Sequence, residues 1–272
     1  MGAFLAVSQG SREAARMIVV HYQGGEPQEA PVVLVGKGVT FDSGGISLKT
    51  PKSMERMKDD MAGGAAVLST LQAASQLKVP LNVIGIVPVT ENLPGGNAYK
   101  PGDVLTSLSG QTIEVVTTDA EGRLILADAL TYAARFKPKA IVDLATLTGA
   151  CVTALGENVA GVMGNNQTLL EMVREAGEET GERVWPLPLW EEYADYLKSD
   201  IADFKNAGGS PAGAITGGVF LSKFLNGIPW VHLDIAGPAW YEKARPYIPR
   251  GASGFGVRLL IQLLRNWKDD AL

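Results

Sequence analysis

Short apolar runs that alternate with segments of helical periodicity are the feature that most constrains the fold of this chain. Apolar runs of strand length occur at residues 17–22, 32–35, 81–89, 140–144, 159–163 and 230–235, and residues 112–116 alternate as a half-buried strand does. Helical patterns cover residues 124–136, 169–179, 189–197, 214–225 and 256–267, and another begins at about Ser53. Strands separated by helices predict an α/β fold with a doubly wound sheet, mixed but mostly parallel, and helices on both faces.

Composition sets the limits within which this fold must form. The chain has 272 residues, of which 46% are hydrophobic and 19% charged, so we expect a large buried core. The net charge of -5 gives no indication of a nucleic-acid partner, and no run approaches the 18 apolar residues of a membrane span. Cys151 is the only cysteine, so we expect no intrachain disulfide and a reducing, cytoplasmic location. We find no linker or repeat and expect one domain over residues 1–272.

The first charged stretch follows the apolar run 32–35. Lys37, Asp42 and Lys49 lie on the glycine-rich loop that begins at Gly36, and Asp60 follows on a predicted helix. Charged side chains on a loop at a strand end usually serve chemistry. A phosphate cradle is one alternative, although neither G-x-x-x-x-G-K-[ST] nor G-x-G-x-x-G fits the spacing here. A solvated surface loop with incidental charges is the other.

The second charged stretch, residues 117–123, follows the predicted strand at 112–116. Asp119, Glu121 and Arg123 stand at alternate positions, and in an extended chain such positions face the same way. We therefore expect these three side chains in one pocket at the carboxyl ends of the strands, where open α/β sheets bind ligands. The alternative is a polar loop that caps the next helix.

The two stretches together supply four carboxylates, those of Asp42, Asp60, Asp119 and Glu121. Each close pair would repel by about 4 kcal/mol at an effective dielectric constant of about 20, so cations must lie among them. Lys49 and Arg123 contribute positive charge, and carboxylate oxygens are also the ligands of one or two divalent metals. The sequence contains neither H-E-x-x-H nor G-x-S-x-G, which excludes a thermolysin-like zinc site and an α/β-hydrolase triad.

Five motifs, in order along almost the whole chain, carry a resemblance to a known family. They are VGKGVTFDSGGISLK at 35–49, MKDDM at 57–61, TDAEGR at 118–123, DLATLTGA at 143–150 and HLDIAG at 232–237. The sequence resembles the catalytic domain of the leucine aminopeptidase (cytosol aminopeptidase) family. The resemblance implies a zinc-exopeptidase-like fold and a two-metal exopeptidase that removes N-terminal residues, preferably apolar ones such as leucine, from peptides.

The resemblance also implies a role for individual residues. The tighter of two metal sites would consist of Lys37, Asp42, Asp60 and Glu121, and the more exchangeable site of Asp42, Asp119 and Glu121. The metals would be zinc or manganese, with magnesium or cobalt as alternatives. Lys49 would stabilise the oxyanion, and Arg123 would bind a bicarbonate ion that acts as general base. The pocket for the first side chain would include Met57, Thr146 and Gly149.

The assembly of the chain and two alternative functions can also be predicted. The resemblance implies a hexamer, arranged as a dimer of trimers, and an N-terminal domain that has no counterpart in this chain. A non-catalytic scaffold or regulatory protein that keeps the fold is the alternative function, although the complete ligand set argues against it. A phosphate-binding or nucleotide-dependent enzyme on the same sheet is a further alternative, which the failed glycine spacings disfavour.

Overall fold

A mixed eight-stranded sheet lies at the centre of the computed structural model, which describes residues 1–52 and 54–268. The strands of this part of the chain are β1 Arg16–Gln23, β2 Val32–Gly36, β3 Gly38–Asp42, β4 Asn82–Asn92, β5 Val104–Thr106, β6 Thr112–Glu114, β7 Ala140–Ala145, β8 Ala160–Gly164, β9 Val184–Pro186, β10 Phe204–Lys205, β11 Trp230–Asp234, β12 Trp240–Tyr241 and β13 Gly251–Ala252. The α-helices are α1 Gly2–Ser8, α2 Ala62–Leu77, α3 Glu121–Ala133, α4 Gly149–Leu155, α5 Gln167–Thr180, α6 Gly213–Ser222 and α7 Val257–Arg265. Short 3-10 helices occupy Met54–Asp59, Ala134–Phe136 and Glu191–Leu197.

The central sheet runs in the order β1-β4-β2-β7-β11-β8-β9, and β3 pairs with the far end of β4. The pairs β2–β4, β2–β7, β7–β11, β8–β9 and β3–β4 are parallel, whereas β1–β4 and β8–β11 are antiparallel. The prediction of a mixed, mostly parallel sheet is therefore confirmed.

Helices cover both faces of the sheet, as a doubly wound fold requires. On one face α1, α3 and α6 pack over side chains such as Val33, Ile141 and Trp230, all of them fully buried. On the other face α2, α5 and α7 pack over Val32, Val142 and Leu233, which are also fully buried. Successive residues of one strand point to opposite faces, so each buried strand contributes to both cores.

The helix predicted to begin at about Ser53 is interrupted in the structure. Ser53 itself lies outside the described residues. The 3-10 helix ends at Asp59, Asp60 and Met61 form a turn, and α2 begins only at Ala62. The prediction that Asp60 lies on a helix is thus wrong, because apolar residues at three- and four-residue steps, such as Met54, Met57 and Met61, fit a 3-10 turn followed by a helix as well as one continuous helix.

Other local predictions also needed correction. The loop after Gly36 contains the short strand β3, and the helix predicted over residues 189–197 is a 3-10 helix that begins two residues later, at Glu191. The sequence patterns did not indicate α1, α4 or the short strands β5, β9, β10, β12 and β13. None of the helices in the described part of the chain combines the length and the apolar character that a membrane crossing requires.

Candidate metal centre

Charged side chains from both stretches, although not that of Arg123, meet at the carboxyl ends of the parallel strands. Lys37 follows β2, Asp42 ends β3 and Thr146 follows β7. Glu121 begins α3, and Asp60 reaches the same place from the turn before α2. Ligand sites of open α/β sheets lie at this edge, because the loops that leave parallel strands converge there.

Lys37 lies at the most buried point of the cluster, with 2% of its surface exposed. Its Nζ is 2.7 Å from Asp60 Oδ1 and 2.7 Å from Glu121 Oε1, and it donates to the main-chain oxygen of Thr146 at 3.0 Å. Burial disfavours the ammonium form, but the carboxylates of Asp60 and Glu121 outweigh this effect and raise the pKa of Lys37 above its ordinary value.

Lys49 bridges two further carboxylates nearer the solvent. Its Nζ is 2.8 Å from Asp42 Oδ2 and 2.5 Å from Asp119 Oδ1, and a quarter of its side chain is exposed. Burial lowers the pKa of Lys49, but Asp42 contributes most among the carboxylates that reverse this effect, so the net pKa is raised. Lys49 therefore remains a cation at neutral pH.

Burial is the largest influence on three of the carboxyl groups. It raises the pKa of Asp60, Glu121 and Asp119, because each loses solvent that would stabilise its charged form. For Glu121 the charge of Asp42 adds to the rise, whereas Lys37 opposes it. The carboxylates are thus crowded, and further positive charge would stabilise them.

Two glycines allow the loops of the cluster to approach closely. Gly44 has a φ of 87°, and a Cβ there would lie 2.4 Å from the main-chain oxygen of Ser47. A Cβ on Gly122 would lie 2.7 Å from Lys37 Cε and 2.8 Å from Lys37 Nζ. The glycine between Glu121 and Arg123 is therefore what lets Lys37 lie against the start of α3.

Sequence reasoning did not identify the polar residues that join the two loops. Asn92, fully buried at the end of β4, donates to Asp42 Oδ1 at 2.8 Å and to the main-chain oxygen of Thr118 at 3.0 Å. Thr118 Oγ1 accepts from the main-chain N–H of Ser47 and donates to the oxygen of Gly44. Tyr99 also donates to the oxygen of Thr118, at 2.8 Å. These bonds fix Asp42 and Asp119 relative to each other.

A cavity of about 500 Å³ opens above the cluster. All the predicted metal-binding residues and Lys49 line it, as do the predicted pocket residues Met57, Thr146 and Gly149. Its other lining residues are Arg56, Asp59, Leu147, Thr148, Val152, Thr153, Glu157, Ala236 and Gly237. Beyond the charged wall formed by the cluster, apolar or small residues such as Met57, Val152 and Ala236 line the cavity together with the charged Arg56, Asp59 and Glu157.

Arg123 does not lie among the described residues that line this cavity. The prediction of an extended chain at 119–123 is wrong, because α3 begins at Glu121 and turns the next residues away. The guanidinium of Arg123 is buried, and its Nη1 donates to the main-chain oxygen of Asn206 at 2.9 Å. Burial lowers the pKa of Arg123 to about 10, and its Nε has no hydrogen-bond partner among the described residues.

The donor set fits divalent cations. One oxygen atom from each of Asp42, Asp119 and Glu121 can be chosen so that all lie within 4.8 Å of one another. Two lysines face four carboxylates, and the buried atoms Asp60 Oδ2 and Glu121 Oε2 have no hydrogen-bond partner among the described residues. Unpaired buried carboxylate oxygens are costly unless a cation binds them, and oxygen-rich sites of this kind suit hard divalent metals.

The sequence of this chain also matches a known protein family. The family model described as "Cytosol aminopeptidase family, catalytic domain" matches residues 1–261. The chain belongs to the cytosol aminopeptidase family. The family resemblance inferred from the five motifs is therefore confirmed.

Relatives in the cytosol aminopeptidase family are similar along almost all of this chain. The "Probable cytosol aminopeptidase" of Geobacter sulfurreducens is 60% identical over 265 residues, which is 97% of this chain and 53% of that protein. The protein of the same description from Nitrosomonas europaea is 58% identical over 264 residues, 97% of this chain and 52% of its own. The chain thus spans about half the length of the curated relatives it matches.

Solved structures give the same picture of the fold. The chain is 42% identical to the bottromycin maturation enzyme BotP, with a TM-score of 0.91 over 97% of this chain and 57% of that one. A structure of BotP in complex with Mn matches with a TM-score of 0.92 at the same identity, over 97% of this chain and 58% of that one. The α/β fold expected for the cytosol aminopeptidase family is therefore confirmed.

Proposed function

We propose that this protein is a two-metal aminopeptidase that hydrolyses the N-terminal peptide bond of peptides. The observation that carries the proposal is the excess of buried carboxylate on one wall of the cavity, with unpaired oxygens on Asp60 and Glu121. Membership of the cytosol aminopeptidase family supports the reaction class. The catalytic machinery would lie within a single domain formed by residues 1–272.

Two metal sites can be formed from the cluster. The tighter site would use Lys37, Asp42, Asp60 and Glu121, and the more exchangeable site Asp42, Asp119 and Glu121. When bound, zinc or manganese ions, or alternatively magnesium or cobalt, would polarise the scissile carbonyl and lower the pKa of a water molecule. Lys37 must lose a proton to act as a ligand, so metal binding would release that proton.

Lys49 is the cation best placed to act on the substrate. Its side chain is partly exposed in the cavity, whereas Lys37 is enclosed by Asp60 and Glu121. With divalent cations neutralising Asp42 and Asp119, the Lys49 ammonium would donate to the carbonyl oxygen as negative charge develops on it. A preorganised donor of this kind contributes about 3 to 4 kcal/mol to stabilisation of the transition state.

Arg123 would bind a bicarbonate ion that serves as the general base. The unpartnered Nε and the position of Arg123 in the first turn of α3 support an anion there, because helix N-termini present free N–H groups. Arg123 and the N–H groups of that first turn would hold the anion, and bicarbonate bound there would supply a general base.

The apolar and small residues of the cavity lining would select the first residue of the peptide. Met57, Val152 and Ala236 offer apolar surface, and Gly149 leaves space for a side chain. A leucine side chain buried there would gain about 1.5 to 3 kcal/mol relative to one left in water. The free amine of the substrate would lie on the charged wall, near the carboxylates.

We further propose a cytoplasmic location and a hexamer arranged as a dimer of trimers. The single cysteine is consistent with a reducing compartment. The size of the purified protein in solution, measured by light scattering, tests the assembly. A monomer at micromolar concentration would refute the hexamer without affecting the assigned residues.

Hydrolysis of leucine p-nitroanilide tests the proposed activity. Purified protein loaded with Mn²⁺ or Zn²⁺ is compared with chelated protein, and N-acetylated leucine p-nitroanilide serves as the matched substrate control. We expect metal-dependent cleavage that disappears when the amine is blocked. Absence of cleavage by metal-loaded protein of the expected assembly would refute the proposal and favour a non-catalytic scaffold.

A further inference from the structure

Asp234, at the end of β11, is a fully buried carboxylate that the proposed mechanism does not use. Its Oδ1 accepts from the main-chain N–H groups of Leu147, Thr148 and Ala236, at 3.2, 3.4 and 3.2 Å. Its Oδ2 accepts from the hydroxyl of Thr148 at 2.6 Å. Both oxygens are therefore occupied by donors, and two of the three N–H groups come from the segment that follows β7.

That segment, residues 146–149, separates Asp234 from the metal-binding cluster. On its cluster side, the main-chain oxygen of Thr146 accepts from Lys37 Nζ at 3.0 Å. The hydroxyl of Thr146 donates to Asp60 Oδ1 at 2.7 Å. Asp234 thus holds the segment whose first residue orients two of the candidate metal ligands.

The same segment begins α4 and forms part of the cavity wall. Thr148 is the N-cap of α4, and its Oγ1 accepts from the main-chain N–H of Cys151 at 3.0 Å. The bond to Asp234 fixes the Thr148 hydroxyl in the position that capping requires. Val152, one turn into α4, lines the cavity beside Thr148 and Gly149. Asp234 therefore also sets where this wall stands.

We propose that Asp234 is a positioning residue that holds the 146–149 segment, and with it both the apolar pocket wall and the orientation of Lys37 and Asp60. The effect on substrate rests on the proposed aminopeptidase function, whereas the effect on the segment does not. A carboxylate suits this role because it accepts all four hydrogen bonds that its side chain makes with the described residues, and hydrogen bonds to an ionised acceptor are about twice as strong as neutral ones.

Asp234→Asn keeps the shape of the side chain and removes its charge. The amide oxygen can still accept from the N–H groups, and the amide nitrogen can donate to Thr148 Oγ1, so the expected change is a looser segment and not a collapsed one. Asp128→Asn is the matched control. Asp128 is also fully buried and accepts two main-chain N–H groups, from Phe4 and Leu108, but it lies outside the site.

Hydrogen exchange of metal-free protein, followed by mass spectrometry, measures the segment without any activity. We expect exchange over residues 145–151 to become about tenfold faster in Asp234→Asn and to be unchanged in Asp128→Asn. Thr148→Val, which replaces the hydroxyl with a methyl group, should also make exchange faster in the same residues. Its control is Thr180→Val, because in the described part of the chain the Thr180 hydroxyl donates only to main-chain oxygens of α5.

Kinetics then test the consequence for the pocket. With metal-loaded protein we expect the ratio of kcat/KM for leucyl over alanyl p-nitroanilide to fall about tenfold in Asp234→Asn and to stay constant in Asp128→Asn. Faster exchange confined to 145–151 together with the lower ratio supports the proposal. If folded Asp234→Asn and Thr148→Val both leave the segment as protected as in the wild type, or loosen it no more than the rest of the chain, the proposal is wrong.

A wild-type protein that cleaves neither substrate would refute the proposed function alone. The exchange measurement would still decide whether Asp234 holds the segment. Mn²⁺ affinity, measured by calorimetry, gives a third readout, because Thr146 contacts Lys37 and Asp60. We expect it to fall about tenfold in Asp234→Asn and to remain that of the wild type in Asp128→Asn.

Discussion

Gly122→Ala perturbs the candidate metal centre through a single methyl group. The new Cβ would lie 2.7 Å from Lys37 Cε and 2.8 Å from Lys37 Nζ, where ordinary van der Waals contact begins at about 3.4 Å. The lysine end must therefore retreat by about 0.6 Å. Its ion pairs with Asp60 and Glu121, both 2.7 Å long, would lengthen by a similar amount.

Gly122→Ala should change the geometry of the metal centre without lowering the stability of the folded protein. The clash involves only the flexible end of Lys37, and alanine in place of glycine inside a helix contributes up to about 1 kcal/mol of stability. A displacement on the order of 1 Å at a catalytic centre can cost about 100-fold in rate. We therefore expect Gly122→Ala to keep the melting temperature within a few degrees of the wild type, while Mn²⁺ affinity and kcat/KM fall about tenfold or more.

Calorimetry with Mn²⁺, thermal unfolding and leucine p-nitroanilide hydrolysis measure the three quantities on one preparation. Gly96→Ala is the matched control, because a Cβ at Gly96 meets nothing within 4 Å. Wild-type metal affinity and kcat/KM in Gly122→Ala would refute the reasoning, since Lys37 would then not need its observed position.

Three further predictions concern other parts of the molecule. Lys49→Ala should keep Mn²⁺ bound and lose about 100-fold to 1000-fold in kcat, because an oxyanion donor is removed. Kinetics on protein of measured metal content test this, and a near-normal kcat would contradict it. Gly63→Ala should lose about 3 kcal/mol or more of unfolding free energy in urea, since its Cβ would lie 2.1 Å from the main-chain oxygen of Leu144; an unchanged urea midpoint would contradict this. Burial raises the pKa of the Cys151 thiol to about 12, so Ellman's reagent at pH 8 should react with it only after unfolding, and immediate reaction of the folded protein would contradict its burial. Because the pKa of the thiol in the folded protein exceeds its ordinary value of 9.0, the stability that Cys151 contributes should be complete below pH 9 and decline as the pH rises towards 12.

Much of the fold and of the cluster could be predicted because both depend on patterns that are local in sequence. The apolar run at 32–35 is a buried strand, and the charged residues after it lie where parallel strands end. Two carboxylates from each stretch, Asp42 and Asp60 with Asp119 and Glu121, do meet in one cavity. Gly63 and Gly64 are adjacent in the sequence of the predicted helix, and glycine allows two backbones to pack closely, as Gly63 does against Leu144.

What could not be predicted depends on contacts between distant parts of the chain. The acceptor role of Asp234 requires β11 to lie beside β7, and its partners Leu147 and Thr148 are 87 and 86 residues away. Asn92 follows Glu91 at the end of a strand, and its partners Asp42 and Thr118 are 50 and 26 residues away. Arg123 follows the alternation of an extended chain, but α3 begins two residues earlier, and only the folded structure shows which pattern applies.

Anomalous diffraction from crystals of the protein soaked with Mn²⁺ tests the central claim most directly. The account predicts two peaks at neighbouring positions, one bonded to Lys37, Asp60 and Glu121 and the other to Asp119, with Asp42 and Glu121 contacting both. A fully soaked crystal with a single peak, or with none among these carboxylates, would contradict the two-metal centre.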